Sequence, residues 1–119
     1  MKYPNTLSQG EQENYNRQPE KIVSYIEGHL HEPMPVKMIS QKFGISISSI
    51  EKYFSTRYRT SFHLFVERQK MNKAYQLITK ERMLVKQAML LTGYRNRTTF
   101  RRAFKRHFNQ PPSFFVQNG

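Results

Sequence analysis

Cysteine, aspartate and tryptophan are absent from these 119 residues, and glycine occurs only five times. Without cysteine there are no disulfides and no thiolate metal sites, and a reducing cytoplasm is permitted. The four histidines (His29, His31, His63 and His107) stand at no metal-binding spacing, and no His-Glu-x-x-His pattern occurs. With no aspartate and no thiol, an enzyme is the least favoured class, and no catalytic residue, metal or cofactor is expected. No stretch of about eighteen apolar residues is present, so no membrane-spanning helix is expected. The first eighteen residues lack the apolar segment of a signal peptide.

Acidic charge is scarce too. Eight glutamates face twenty Lys and Arg, for a net of +12. The last acidic residue is Glu81. Beyond it come Arg82, Lys86, Arg95, Arg97, Arg101, Arg102, Lys105 and Arg106 with no acid among them, so residues 82–119 carry +8 and the rest of the chain +4. Charge of one sign concentrated on one segment is the footprint of a polyanion binder. A merely solubilising surface would mix the signs.

What is present reads as helix. Residues 1–18 are polar and aperiodic, and a flexible tail is expected there. Pro19 suits a first helical turn, and Ile22, Val23, Ile26 and Leu30 follow at helical spacing, giving a helix to about His29. The prolines of His31–Pro35 break it. Val36 to Phe43 forms a short helix, Gly44 a tight turn, and Ser46 caps a helix carrying Ile47, Ile50, Tyr53 and Phe54. Ser61 caps a longer helix from Phe62 to Thr79, whose buried positions are Phe62, Phe65, Val66, Ala74, Leu77 and Ile78; it spans roughly 27 Å. A short helix over Leu84–Thr92, a turn at Gly93, a cap at Asn96 and a helix over Arg97–Phe108 complete an all-α chain. The division expected is a tail (1–18), a first helix-turn-helix subdomain (19–60), a linker helix (61–80) and a second helix-turn-helix subdomain (81–119).

The two halves repeat. At a shift of fifty, Ser46 falls on Asn96, Ile50 on Phe100, Phe54 on Phe104 and Tyr58 on Phe108. The preceding short helices align at forty-nine. A short helix, a glycine turn and a capped second helix, found twice, reads as two helix-turn-helix units.

With Phe100 at zero and about 100° per residue, Phe104 and Phe108 define a core face, while Thr98, Arg102 and Lys105 lie at about 160°, 200° and 140°. Ser48, Lys52 and Ser55 take the same angles in the first unit. These open faces are where a recognition helix meets base edges. Arg102 and Lys52 are the expected donors to guanine, and Ser48, Ser49 and Thr98 can hydrogen-bond to bases. Arg97 lies nearer the core side, but in the first turn a long side chain can swing outward, and it too is a candidate base contact. Glu51 either accepts from a cytosine amino group or lies away from DNA. Ser46, Arg57, Arg95, Asn96, Lys105 and Arg106 are expected on phosphates, which fix register without reading sequence. Successive major grooves lie about 34 Å apart. The linker helix is of that scale, so one chain is expected to span both grooves without dimerising.

The combination resembles the DNA-binding domain of the AraC/XylS family of bacterial transcription regulators. It is carried by Gly93-Tyr94, by the run from Thr99 to Phe108 and by Pro112-Ser113-Phe114-Phe115. In the first unit Phe43-Gly44-Ile45-Ser46, Ile50, Phe54 and Ser61-Phe62 match, and in the linker Lys70-Met71, Ala74 and Leu77. The resemblance implies seven helices, two helix-turn-helix subdomains joined by one helix, sequence-specific binding in adjacent major grooves, and activation through RNA polymerase in the bacterial cytoplasm, on the nucleoid. Mapped by position, it implies base contacts at Ser48, Glu51, Lys52, Thr98, Arg101 and Arg102. The chain departs from the family pattern at Arg59 and Asn109, where glycine is usual, at Lys70, where arginine is usual, and at Ala88-Met89, where the small residue comes second. The competing reading is a non-specific basic nucleic-acid or architectural protein. Against it stand Ser48, Ser49, Thr98 and Thr99, short polar residues placed at base edges, and aromatics that lie in the buried stripe and not where RNA bases would stack.

Overall fold

The computed structural model describes residues 9–116, with side chains from Pro19 onward. Among these residues there are six α-helices and a closing 3-10 turn: α1 (Gln9–Gly28), α2 (Val36–Phe43), α3 (Ile47–Tyr58), α4 (Phe62–Thr79), α5 (Val85–Leu91), α6 (Arg97–Phe108), and the turn Pro112–Phe115. No strand occurs among them, and none of the helices is long and apolar enough to cross a membrane. The seventh helix implied by the family resemblance is thus a single 3-10 turn.

The first helix corrects an expectation. It begins at Gln9 and carries Pro19 inside it, whereas a tail was expected up to residue 18. Residues 1–8 of that tail lie outside the described residues. The upstream residues Gln9–Gln18 have no apolar period, so nothing in the pattern marks them as helical. Proline is tolerated within the helix at the cost of one backbone hydrogen bond.

The caps form as the sequence suggests. Ser46, Ser61 and Asn96 each accept the N–H three residues on, from Ser49, Leu64 and Thr99. Gly44 and Gly93 turn the chain at φ 67° and 84°, a region glycine enters freely. Arg59 and Asn109, at φ 58° and 64°, close α3 and α6 in the left-handed conformation. Arg59 bears a steric cost there that glycine would not.

The repeat holds to the residue. Helices α3 and α6 are each twelve residues long and begin and end fifty apart. The register runs further than the caps and stripes indicate. Phe65 of α4 packs on Phe54 and Tyr58 at ring distances of 4.9 and 4.7 Å. Fifty residues on, Phe115 of the 3-10 turn packs on Phe104 and Phe108 at 5.8 and 6.2 Å. The turn therefore takes the place that the start of α4 holds in the first unit.

Helix α4 is the axle. Phe62, Phe65 and Val66 from its first half join Ile22, Ile26, Ile39, Ile50 and Phe54 in one core. From its second half, Met71, Ala74, Leu77 and Ile78 join Ala88, Met89, Phe100 and Phe104 in another. Ala88 and Met89 are both buried in that second core. Between the two apolar stretches of α4 lie two buried charged residues, Glu67 and Lys70.

Candidate nucleic-acid interface

The helix-turn-helix geometry leaves one face of α3 and one of α6 open. On α3, Ser48, Ser49 and Lys52 are exposed, as is Arg57. On α6, Arg97, Thr98, Arg101, Arg102, Lys105 and Arg106 are exposed, with Arg95 and Asn96 just ahead of the helix. The buried residues of α6 are Phe100, Ala103 and Phe104 alone. Among the described residues, none of Arg95, Arg97, Arg101, Arg102 and Lys105 enters an ion pair. Five cations without internal partners make the second unit's open face strongly electropositive.

The residues ahead of these faces are partly committed. Ser46 Oγ accepts from Ser49 N at 3.1 Å and donates to Ser49 Oγ at 2.9 Å. Its proton is used inside the cap and Ser49 keeps its own, while Ser48 Oγ lies 3.3 Å from Ser46 Oγ, within reach of the same cap. Asn96 Oδ1 accepts from Thr99 N and Thr99 Oγ1 at 2.8 and 3.2 Å. That leaves the Asn96 amide NH2 to donate outward. The guanidinium of Arg57 lies over the Tyr58 ring at 5.4 Å, beside the open face.

Two sequence candidates are engaged elsewhere. Arg106 Nη2 donates to Glu67 Oε2 at 2.9 Å, and His107 Nε2 lies 2.8 Å from the same oxygen. Burial pushes the Glu67 carboxyl up, but the hydrogen bonds and positive charge of Arg106 and His107 outweigh it and hold the group below the ordinary carboxylate range. Arg106 thus ties α6 to α4, although its side chain remains half exposed.

Glu51 is turned from the open face. Its Oε1 accepts the backbone N–H of Phe62 at 2.9 Å, one of the unpaired donors at the start of α4. The second unit shows why its counterpart differs. Fifty residues on from Glu51 and Phe62 stand Arg101 and Pro112. Proline has no N–H to satisfy, so position 101 needs no acceptor and carries a cation. Arg101 lines a cleft of about 360 Å³ with Lys86, Arg97, Phe100, Pro112 and Ser113. Lys86 was not singled out from the sequence. A signal was available: it sits at the repeat position of Lys37, both exposed near the start of the short helix of each unit.

Sequence reasoning also missed the use of Lys70. This residue is buried, and its Nζ donates to Leu30 O at 2.6 Å, Glu32 O at 2.7 Å and Thr92 O at 3.0 Å. Burial lowers the pKa of the ammonium to about 8, with the nearby Glu32 opposing. Three carbonyls around one ammonium satisfy all of its donors.

Comparison with known proteins gives consistent matches. Residues 39–118 match the family described as "Helix-turn-helix domain". The chain is 30% identical over 93 residues to the regulatory protein SoxS of Escherichia coli (strain K12), covering 77% of this chain and 86% of SoxS. Among solved structures, the DNA-binding domain of the global transcriptional factor AdpA, in complex with a target DNA, superposes with a TM-score of 0.77 at 18% identity, covering 82% of this chain and 88% of that one. A transcriptional regulator with an AraC-type DNA-binding domain from Chromobacterium violaceum superposes with a TM-score of 0.71 at 23% identity, over 90% and 92% of the two chains.

Proposed function

This chain belongs to the AraC-type helix-turn-helix family of DNA-binding transcription regulators, and from that membership we propose that it reads one specific duplex sequence through α3 and α6 in two successive major grooves. One chain occupies the whole site. The observation that carries this reading is the matched pair of recognition helices, equal in length and register, built onto a single helix between them. The AdpA domain, alike in fold, is bound to a target DNA, which supports a duplex as the partner here.

In this reading Ser48, Ser49 and Lys52 meet the bases of one groove, and Arg97, Thr98, Arg101 and Arg102 those of the next. Arg57, Arg95, Asn96 and Lys105 hold phosphates, joined by Lys37 and Lys86. Glu51 leaves the reading set because Phe62 takes its carboxylate. Ser46 serves its cap, and Arg106 divides its donors between Glu67 and the backbone of the duplex. The outcome is activation of transcription through RNA polymerase, in the bacterial cytoplasm.

Selection from random duplexes at two salt concentrations tests the proposal. A two-part enriched motif with fixed spacing, bound by one chain, is expected at both. Affinity without an enriched motif, collapsing as salt rises, would establish the general basic nucleic-acid binder instead.

A further inference from the structure

We infer that Lys70 is the positioning residue that fixes the distance and angle between the two reading helices, and so selects the spacing between the two halves of the DNA site. The inference rests on the two-groove reading above and adds a residue that touches no DNA.

The two units have separate apolar cores, each built on its own half of α4, so they share that helix and not a common core. Contact between them runs through α4 and a polar joint at its middle. Lys70 projects from α4 and binds Leu30 O and Glu32 O, which belong to the chain between α1 and α2 in the first unit. The same ammonium binds Thr92 O, at the end of α5 in the second. One cation therefore grips both units from the helix that joins them.

The fit on the far side is close. A Cβ added to Gly93 would come within 2.8 Å of Lys70 Nζ and 3.2 Å of the backbone of His31. Backbone of the first unit thus presses on the turn of the second with only a hydrogen atom's room to spare. Gly93 is required there by its positive φ and again by this approach. Three residues before Lys70 on α4, Glu67 holds Arg106 and His107 and so fixes α6 to the same helix. Hydrogen bonds of defined direction are thereby added to the apolar packing of α3 and α6 on α4.

Rigidity of this kind has a readable consequence on DNA. Adding one base pair between half-sites moves the second by about 3.4 Å and turns it by about 35°. A stiff two-headed reader cannot follow that change, whereas a loosened one can. Lys70→Met keeps much of the stem and removes the three donors. It loosens the joint while leaving every proposed base contact in place.

The experiment takes the enriched site and makes versions with the spacer one base pair longer and one shorter. Wild type is expected to lose about tenfold or more in affinity on either change, the scale of a single lost base contact. Lys70→Met is expected to lose about threefold or less on the same changes, with base preference within each half unaltered, and Lys70→Arg to restore the wild-type penalty. The absence of cysteine allows a second measurement without DNA. Spin labels at Ser55→Cys and Lys105→Cys, one on each reading helix, should give a narrow distance distribution that Lys70→Met broadens. If Lys70→Met does not fold, Lys70→Gln, which keeps an amide donor but is too short to bind carbonyls of both units, should show the same loss of spacing selectivity.

A folded Lys70→Met with the wild-type spacing penalty and a narrow distance distribution overturns the inference. A wild-type protein with no two-part motif overturns the two-groove reading itself, a different failure. A penalty lost in Lys70→Met and not regained in Lys70→Arg also counts against Lys70, since arginine keeps the charge and at least as many donors.

Discussion

Replacing Glu51 with alanine leaves the Phe62 N–H without its acceptor at the start of α4. The expected result is a loss of about 0.5–2 kcal/mol in urea denaturation, the scale of a helix cap, with base preference in selection unchanged. Arg101→Ala should do the reverse: stability held, and discrimination at one base position weakened by about 1–3 kcal/mol. A Glu51→Ala protein of full stability with altered base preference would return Glu51 to the reading set. The residue was ambiguous in sequence for a physical reason. On the helical wheel it lies about 100° from Ile50, at the border between core and open face. A glutamate stem can reach either way, and only the position of the α4 terminus decides. Arg101 shares the border but has no such terminus to serve.

At the scale of elements, α4 carries a pH response. The folded Glu67 carboxyl binds its proton less tightly than the ordinary value of 4.5. The stability it contributes is therefore present above that value and is lost as pH falls through the lower, folded value. Melting temperature should drop as pH is lowered from about 5 to about 3, and Glu67→Gln should flatten the drop. Equal slopes in the two proteins would mean that the joint to Arg106 and His107 contributes nothing in acid. The elements themselves were largely legible. Helices α3 and α6 announce themselves by caps and by a buried stripe that recurs at fifty, and α4 by its long apolar period. The start of α1 was not, because Gln9–Gln18 offer no apolar face to read. The tethers of α4 were not either. Lys70 reaches carbonyls 22 to 40 positions away, and Glu67 reaches residues 39 and 40 away. No local pattern encodes a partner at that distance.

At the scale of the molecule, charge and shape are divided between the units. Binding measured across a salt series should show it. Lys105→Ala is expected to lower the slope of log affinity against log salt by about one, the contribution of a single phosphate contact, on every sequence alike. Ser48→Ala should leave the slope alone and change which bases are preferred. A slope unchanged in Lys105→Ala would place that residue off the DNA. The division also follows from the α4 terminus. In the first unit a carboxylate is held beside the reading face because a helix begins there and its first N–H, on the fully buried Phe62, demands an acceptor. In the second, Pro112 removes the demand. An engineer wishing to make the first unit as basic as the second therefore cannot begin at Glu51. Arginine there strands a buried donor, and removing the donor means replacing Phe62, a ring of the first core. The carboxylate beside the open face of α3 is consequently a property of the axle. The demand for an acceptor there lasts as long as a helix begins at Phe62.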